Sequence, residues 1–593
     1  MVTKFKKSIW NISIVVTAMS LVTFLWHSCA PAEKGKSTEV KSATVSVVPD
    51  NSLNSCPITP SEFNSWFASG TVTENGAVNA ANSKDFPSQN TNCDFYRWSE
   101  QMFLWIVSPA PGYAGVFDSP VFYDVSPENA NQERYLIPHQ KGVLRNFSPK
   151  VIQNGPQGLP VLIHPKTGKL MEIDTPKKSD AGMHLVSNAM GENMEAAKLE
   201  LVDNKLVYYN ANGQVIENVK PMFTEGLSTG DLVQKVSVGG KSIYVDANGD
   251  YVDEAEQGQA GGGDVLMSQN GSLVYYTILV NDVYAVFKSM YPDAKRFPET
   301  EAELDAIVAQ AAQMGITIDD KDALAVELKM SWVLADSLPN DSDYVTTMAE
   351  IPTYTPNSTN TKWIKNGTTT AKLALVGIHV VGNVAGHPEM LWSTFEHVNN
   401  SPLATYSYLD TESNKVTVNS STAGVWNFST NGASSPFNTP HMAMDTVIGD
   451  TIIAKGGFTI TPSNTLRDQP WGVVEGTVPN QNVTSAAESN SEIISINHNV
   501  MTMLIGNDVR KNYIQIGNTW TMNGAYPTGE YPSGGNEIGT SRLANSTMET
   551  YHQDLNCFAC HSNYPSDSND AYGYVGLSHI FGDIVPMDTT TVK

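Results

Sequence analysis

Near the end of this 593-residue chain stands Cys557-Phe558-Ala559-Cys560-His561, and only 32 residues follow it. Two thiols three positions apart can add across the two vinyl groups of one haem, and the adjacent histidine then ligates the iron. With five cysteines and 12 histidines in the chain, chance produces this pattern in roughly one chain per thousand of such composition. A thioredoxin-like reading needs the pair at a strand-to-helix turn of a βαβ unit, and a zinc site needs a second matched pair. The sequence offers neither. The short tail also constrains the fold. A small cytochrome c wraps its haem with most of a domain after the motif, and 32 residues cannot. The segment 541–593 is therefore expected to carry one covalent haem c and to dock on a large upstream body that supplies most of the pocket.

The other cysteines agree with an exported protein. Lys4, Lys6 and Lys7 precede an apolar run from Ile9 to Trp26, and the run stops at Ser28-Cys29-Ala30-Pro31. A basic start, an apolar stretch and a small residue at the break describe a secretory signal over 1–28. A cysteine at that break points to a bacterial lipoprotein, with Cys29 lipidated, although Trp26 and His27 depart from the usual residues there. A plain signal peptide and a membrane anchor are the other readings, and all three place the remainder in the periplasm or at the cell surface. Residues 29–55 have the composition of a flexible tether. Cys56 and Cys93 are then left over, and in an oxidising compartment they are expected to bridge. Closing a loop of about 37 residues contributes roughly 3–4 kcal/mol in the loop-entropy model. The formal charge of −25 argues against nucleic acid as a partner and suits a basic redox protein.

Residues 56–540 read as a globular body. Phe95, Trp98, Met102 and Trp105 recur at three- and four-residue spacing, which predicts a buried amphipathic helix ended by Pro109 and Pro111. From Leu159 to Val252 the text predicts hairpins, turning at 166–168, at Asn212-Gly213 and at Asn248-Gly249. Asp246, Asn248 and Asp250 have the spacing of a calcium loop, but Tyr251 stands where that loop needs glycine, so a turn is expected. LVYYTILVNDVYAVF reads as β-prone. Thr300 and Glu303 form a capping box for a helix to about Met314, stopped by Gly315. Val326–Val333 and Ala371–Val381 read as strands, the second central, and Tyr406–Asn482 as mostly loop. Ser546 to Glu549 reads as a capping box leading a short helix into the haem motif. The fold class expected is α+β: a mixed, hairpin-rich body with few long helices.

The iron's sixth position has several candidates: His379, His397, Met548 and His579, with His387, His552 and Met587 behind them. His379, His387 and His397 lie within GIHVVGNVAGHPEMLWSTFEHVNN. They could also bind a metal with Glu396, but the helical spacings of metal motifs are missing.

The segments QMFLWIVSPAPGYAGVFDSPVFYDVSP, LVYYTILVNDVYAVF, ELKMSWVL, GIHVVGNVAGHPEMLWSTFEHVNN, KNYIQIGNTW and LANSTMETYHQDLNCFACHS together resemble an uncharacterised family of exported bacterial proteins with a single C-terminal CxxCH. The resemblance runs over most of the mature chain. It implies a cytochrome c-like protein with Cys557, Cys560 and His561 attaching the haem, and it carries no established reaction. Three functions follow as expectations. The first is an electron carrier with a closed iron and a redox partner protein. The second is a haem-dependent oxidoreductase or peroxidase-like enzyme with an open iron and a small-molecule substrate, in which His379 or His397 beside Glu396 handles protons. The third is a glycan-binding surface lipoprotein with a structural haem.

Overall fold

The computed structural model describes residues 47–588 apart from 127–132, 150–160, 164–169, 180, 189, 203–204, 225–231, 239–240, 253–262, 446–450, 473–482, 528–536, 540–541, 555–556 and 562–572. The signal, Cys29, most of the tether and the 166–168 turn lie outside the described residues.

Central strands of a sheet covered on both sides are usually apolar throughout, but here alternate positions differ in kind. The strands that matter are β1 (Phe122–Val125), β2 (Arg134–Ile137), β3 (Tyr275–Asn281), β4 (Val326–Leu334), β5 (Thr346–Pro356), β6 (Lys362–Val384), β7 (His387–His397), β8 (Tyr513–Thr521) and β9 (Ile584–Val585). They belong to one 14-stranded sheet. β4 pairs antiparallel with both β3 and β6, β6 with β7, and β7 with β8. Along β4, Val326, Leu328, Met330 and Trp332 enter the main apolar core. The same core takes Ile378 and Val380 from β6 and Leu391 and Phe395 from β7. It also takes Phe95, Met102 and Phe103 of helix α1 (Asn92–Ile106), so the aromatic row read from the sequence is core. A second apolar cluster joins Val381 and Trp392 to α2 (Asp282–Met290), α3 (Glu301–Gln313) and the C-terminal residues Phe558, Leu577, Ile580 and Phe581.

The body is α+β and hairpin-rich, as the sequence predicts. α3 carries the Thr300/Glu303 capping box, and Gly315 takes φ +72° just beyond its end. Asn248-Gly249 turns the hairpin between Lys241–Asp246 and Tyr251–Val252. There Asp246 accepts from the backbone N–H groups of Asn248 and Asp250, the self-capped turn that the missing calcium-loop glycine implies. Cys56 and Cys93 form a disulfide, Cα to Cα 5.3 Å, that ties the start of the body to α1. Short hairpins punctuate the loops of Tyr406–Asn482.

Two expectations are corrected. The β-prone LVYYTILVNDVYAVF is a strand only to Asn281 and then becomes α2, because the Asn281 side chain caps the helix by accepting from the Tyr284 N–H. The helix expected after Ser546 is a run of turns. The Ser546 N–H and hydroxyl are both spent on the Glu396 carboxylate, and it is the Asn545 N–H that Glu549 reaches back to.

Candidate functional site

The second face of the sheet is a grid set by register. Lys329 of β4 lies opposite His379 of β6, and His379 opposite Thr394 of β7. On one side stands the row Ser331, Gly377, Glu396, and on the other Glu327, Val381, Trp392. Because side chains alternate along a strand, these nine residues share the face away from the main core. The C-terminal chain crosses this grid. Asn545 bonds Thr394 and the Phe395 carbonyl, Thr547 meets Ser331 at 2.7 Å, and the Tyr276 hydroxyl donates to the Thr547 carbonyl at 2.7 Å. Glu396 is fully buried and accepts from Ser546, from Asn400 and, at 2.6 Å, from Arg467. It locks the crossing chain to the sheet.

Beyond that lock a cavity opens between β3, β4, β6, β7 and the C-terminal segment. Its enclosed volume is about 60 Å³, well below the roughly 300–1,000 Å³ of cofactor sites, so a bound cofactor would require the lining to move apart. Cys557, Cys560, His561 and His579 line it together with Lys329, His379, Trp392 and Glu549. Cys557–Cys560 forms one helical turn, which directs both thiols and the next side chain to one place. His561 bonds the Leu577 carbonyl through Nδ1 at 2.8 Å, which makes Nδ1 the protonated nitrogen and leaves the Nε2 lone pair free. Its ring lies 4.2 Å from that of Trp392 and 4.0 Å from that of His579.

Charge in the cavity follows burial. Burial holds the His561 imidazole well below its ordinary range and brings His579 down to about 4, so both rings are neutral at pH 7. Burial likewise pushes the Glu327 carboxyl up to about 8, although Ser578 donates to it at 2.7 Å. For Glu549 burial acts upward, but His379, at 3.0 Å, and Lys329, at 4.0 Å, outweigh it and hold the carboxyl below the usual range.

A covalently held haem needs two thiols, a neutral imidazole fixed by its second nitrogen, and apolar walls. Cys557, Cys560 and His561 supply the first two, and Ile278, Val381, Trp392, Leu543 and Ile580 the walls. The donor set fits. Among the described residues no three His, Cys, Asp or Glu side chains converge to hold a bare metal ion.

The sequence candidates for the sixth position divide. His379, His552 and His579 line the cavity; His397, His387 and Met548 do not. His397 is buried 3.8 Å from the Tyr344 ring, with Nε2 on the Asp343 carbonyl, and burial takes it down to about 3. His387 bonds Glu389 at 2.8 Å between Phe86 and Phe95. Met548 packs with Leu266 and Tyr276, and Met587 packs against the second cluster. Sequence reasoning missed Lys329, Glu327 and Trp392. For Lys329 and Glu327 the signal was the alternation in ELKMSWVL, where polar residues recur at every second position from Glu327 to Ser331 of a covered strand.

Fold and cavity together define an α+β protein with a cysteine- and histidine-lined cavity on one face of its sheet. No protein-family model matches the chain, no curated protein matches it, and no solved structure matches it. Among the described residues no helix is long and apolar enough to cross a membrane.

Proposed function

We propose that this chain is an exported, lipid-anchored, mono-haem c protein that transfers electrons through one covalently bound haem. The observation that carries the reading is that both thiols and His561 line one cavity, with His561 already committed through Nδ1 to the Leu577 carbonyl. Haem supplies a one-electron couple when bound. The chain's own residues do the rest. Cys557 and Cys560 attach the group, and His561 offers Nε2. Trp392, Val381 and Ile580 exclude water, and Lys329 sets a buried amine 4.0 Å from Glu549. Exchange with a basic redox partner is favoured by the overall charge of −25, and lipidation at Cys29 keeps the protein at the membrane.

A second reading is an enzyme with an open iron position. It is favoured by the His379–Glu549–Lys329 group on the cavity wall, which can hold or pass a proton. Its acid–base pair is His379 with Glu549, because Glu396 is bound up with Arg467.

The test of the shared premise is a haem stain after denaturing electrophoresis of protein made in an export-competent host with haem c maturation. Stain on the wild type, and none after joint Cys557→Ala and Cys560→Ala substitution, is the expected result. An unstained wild type ends the proposal. Carbon monoxide then separates the readings, since it binds an open iron and leaves a closed one unchanged.

A further inference from the structure

His579 follows the 574–578 turn with φ +55° and ψ −20°, a left-handed conformation that glycine or asparagine adopts with less strain. The turn geometry therefore does not explain a histidine there; its ring does. The ring lines the cavity 4.0 Å from that of His561, and its Nδ1 is buried with no hydrogen-bond partner. A buried imidazole nitrogen left without a partner beside the proximal ring is what a second ligand histidine offers. Of the histidines that line the cavity, His579 is the one whose ring meets that of His561. His379 instead reaches Glu549 with Nε2 at 3.0 Å, and His552 is buried on the cavity wall.

Resting on the haem c reading, we propose that His579 is the second axial ligand, so that the iron is held between His561 and His579 and is closed to other ligands. A metal bound to two imidazoles lies in the plane of each. The two rings meet face to face, 22° apart in plane, so holding an iron between them would require them to turn. The assignment chooses between the two readings above: a closed iron is a carrier, and the Lys329–Glu549–His379 group becomes part of its surrounding wall.

The experiment uses the full exported chain carrying covalent haem and compares wild type with His579→Ala, His579→Asn and His379→Ala. Asparagine tolerates the left-handed turn, so it separates loss of a ligand from loss of the fold. The wild type is expected to be low-spin in both oxidation states and indifferent to carbon monoxide. Both His579 variants should keep stainable haem, become high-spin and bind carbon monoxide, and added imidazole should restore the low-spin spectrum. His379→Ala should remain low-spin. The assignment is overturned by a wild type that binds carbon monoxide, by His579 variants that stay low-spin, or by loss of the low-spin spectrum in His379→Ala. A wild type without covalent haem instead ends the underlying reading.

Discussion

Removing the His561 imidazole separates attachment from ligation, because the thioether bonds belong to Cys557 and Cys560. His561→Ala is expected to keep haem on a denaturing gel and to shift its absorption spectrum; an unchanged spectrum excludes His561 as the proximal ligand. Glu327 gives a test that needs no haem. Its carboxyl titrates near 8 in the folded chain and near the ordinary 4.5 when unfolded. Between those values the folded state holds a proton that the unfolded state has lost, so this group's contribution is full below about 4.5 and declines as pH rises to about 8. The slope is at most about 1.4 kcal/mol per pH unit. Glu327→Gln mimics the neutral acid and should flatten the fall in stability between pH 5 and 8, read as denaturation midpoints. Equal slopes in the two proteins overturn that assignment. Glu396→Ala leaves the Arg467 guanidinium buried without its carboxylate, and should lower stability by about 3–5 kcal/mol.

The strands fix where the C-terminal chain can lie, and Gly377 on β6 is the tightest point. A Cβ there would sit 2.5 Å from Thr547 Oγ1, 2.7 Å from Ser331 Oγ and 2.8 Å from Asn545 Oδ1. Gly377→Ala should push the 545–549 turn off the sheet, costing about 1–3 kcal/mol, and should disturb the haem spectrum although the glycine does not line the cavity. A variant with wild-type melting and spectrum counts against the grid as the support of the site. The same strands show what the sequence made legible. Two-residue alternation in ELKMSWVL and the apolar run through Val381 are local signals, and both strands appear where expected. Helix α2 was hidden because its Val, Tyr and Phe residues favour strands, and only the Asn281 cap turns the chain helical. The short helix before the haem motif was misread for a different reason. Whether Ser546 caps a helix or serves Glu396 depends on a partner 150 positions away.

Long separations also explain which part of the site the sequence could carry. The attachment motif is contiguous and stood out at once, whereas the cavity joins Lys329, His379, Trp392 and Glu549 from four segments whose registry only the folded sheet sets. The disulfide lies between these cases: export logic left Cys56 and Cys93 as the pair, and they are bonded. Its contribution can be measured separately from the haem. It closes a separation of 37 residues, so Cys56→Ser with Cys93→Ser should reduce stability by about 3–4 kcal/mol in the loop-entropy model. Cys56 is fully buried, and its backbone N–H donates to Ser495 of helix α4 (Ala486–Met503). The bridge thus holds α1 near α4 on the face of the sheet away from the cavity. The double variant should therefore melt earlier yet keep stainable haem with the wild-type spectrum. If the spectrum changes along with the melting temperature, the two faces of the sheet are coupled, and the cavity is not the independently supported site that the register grid makes it.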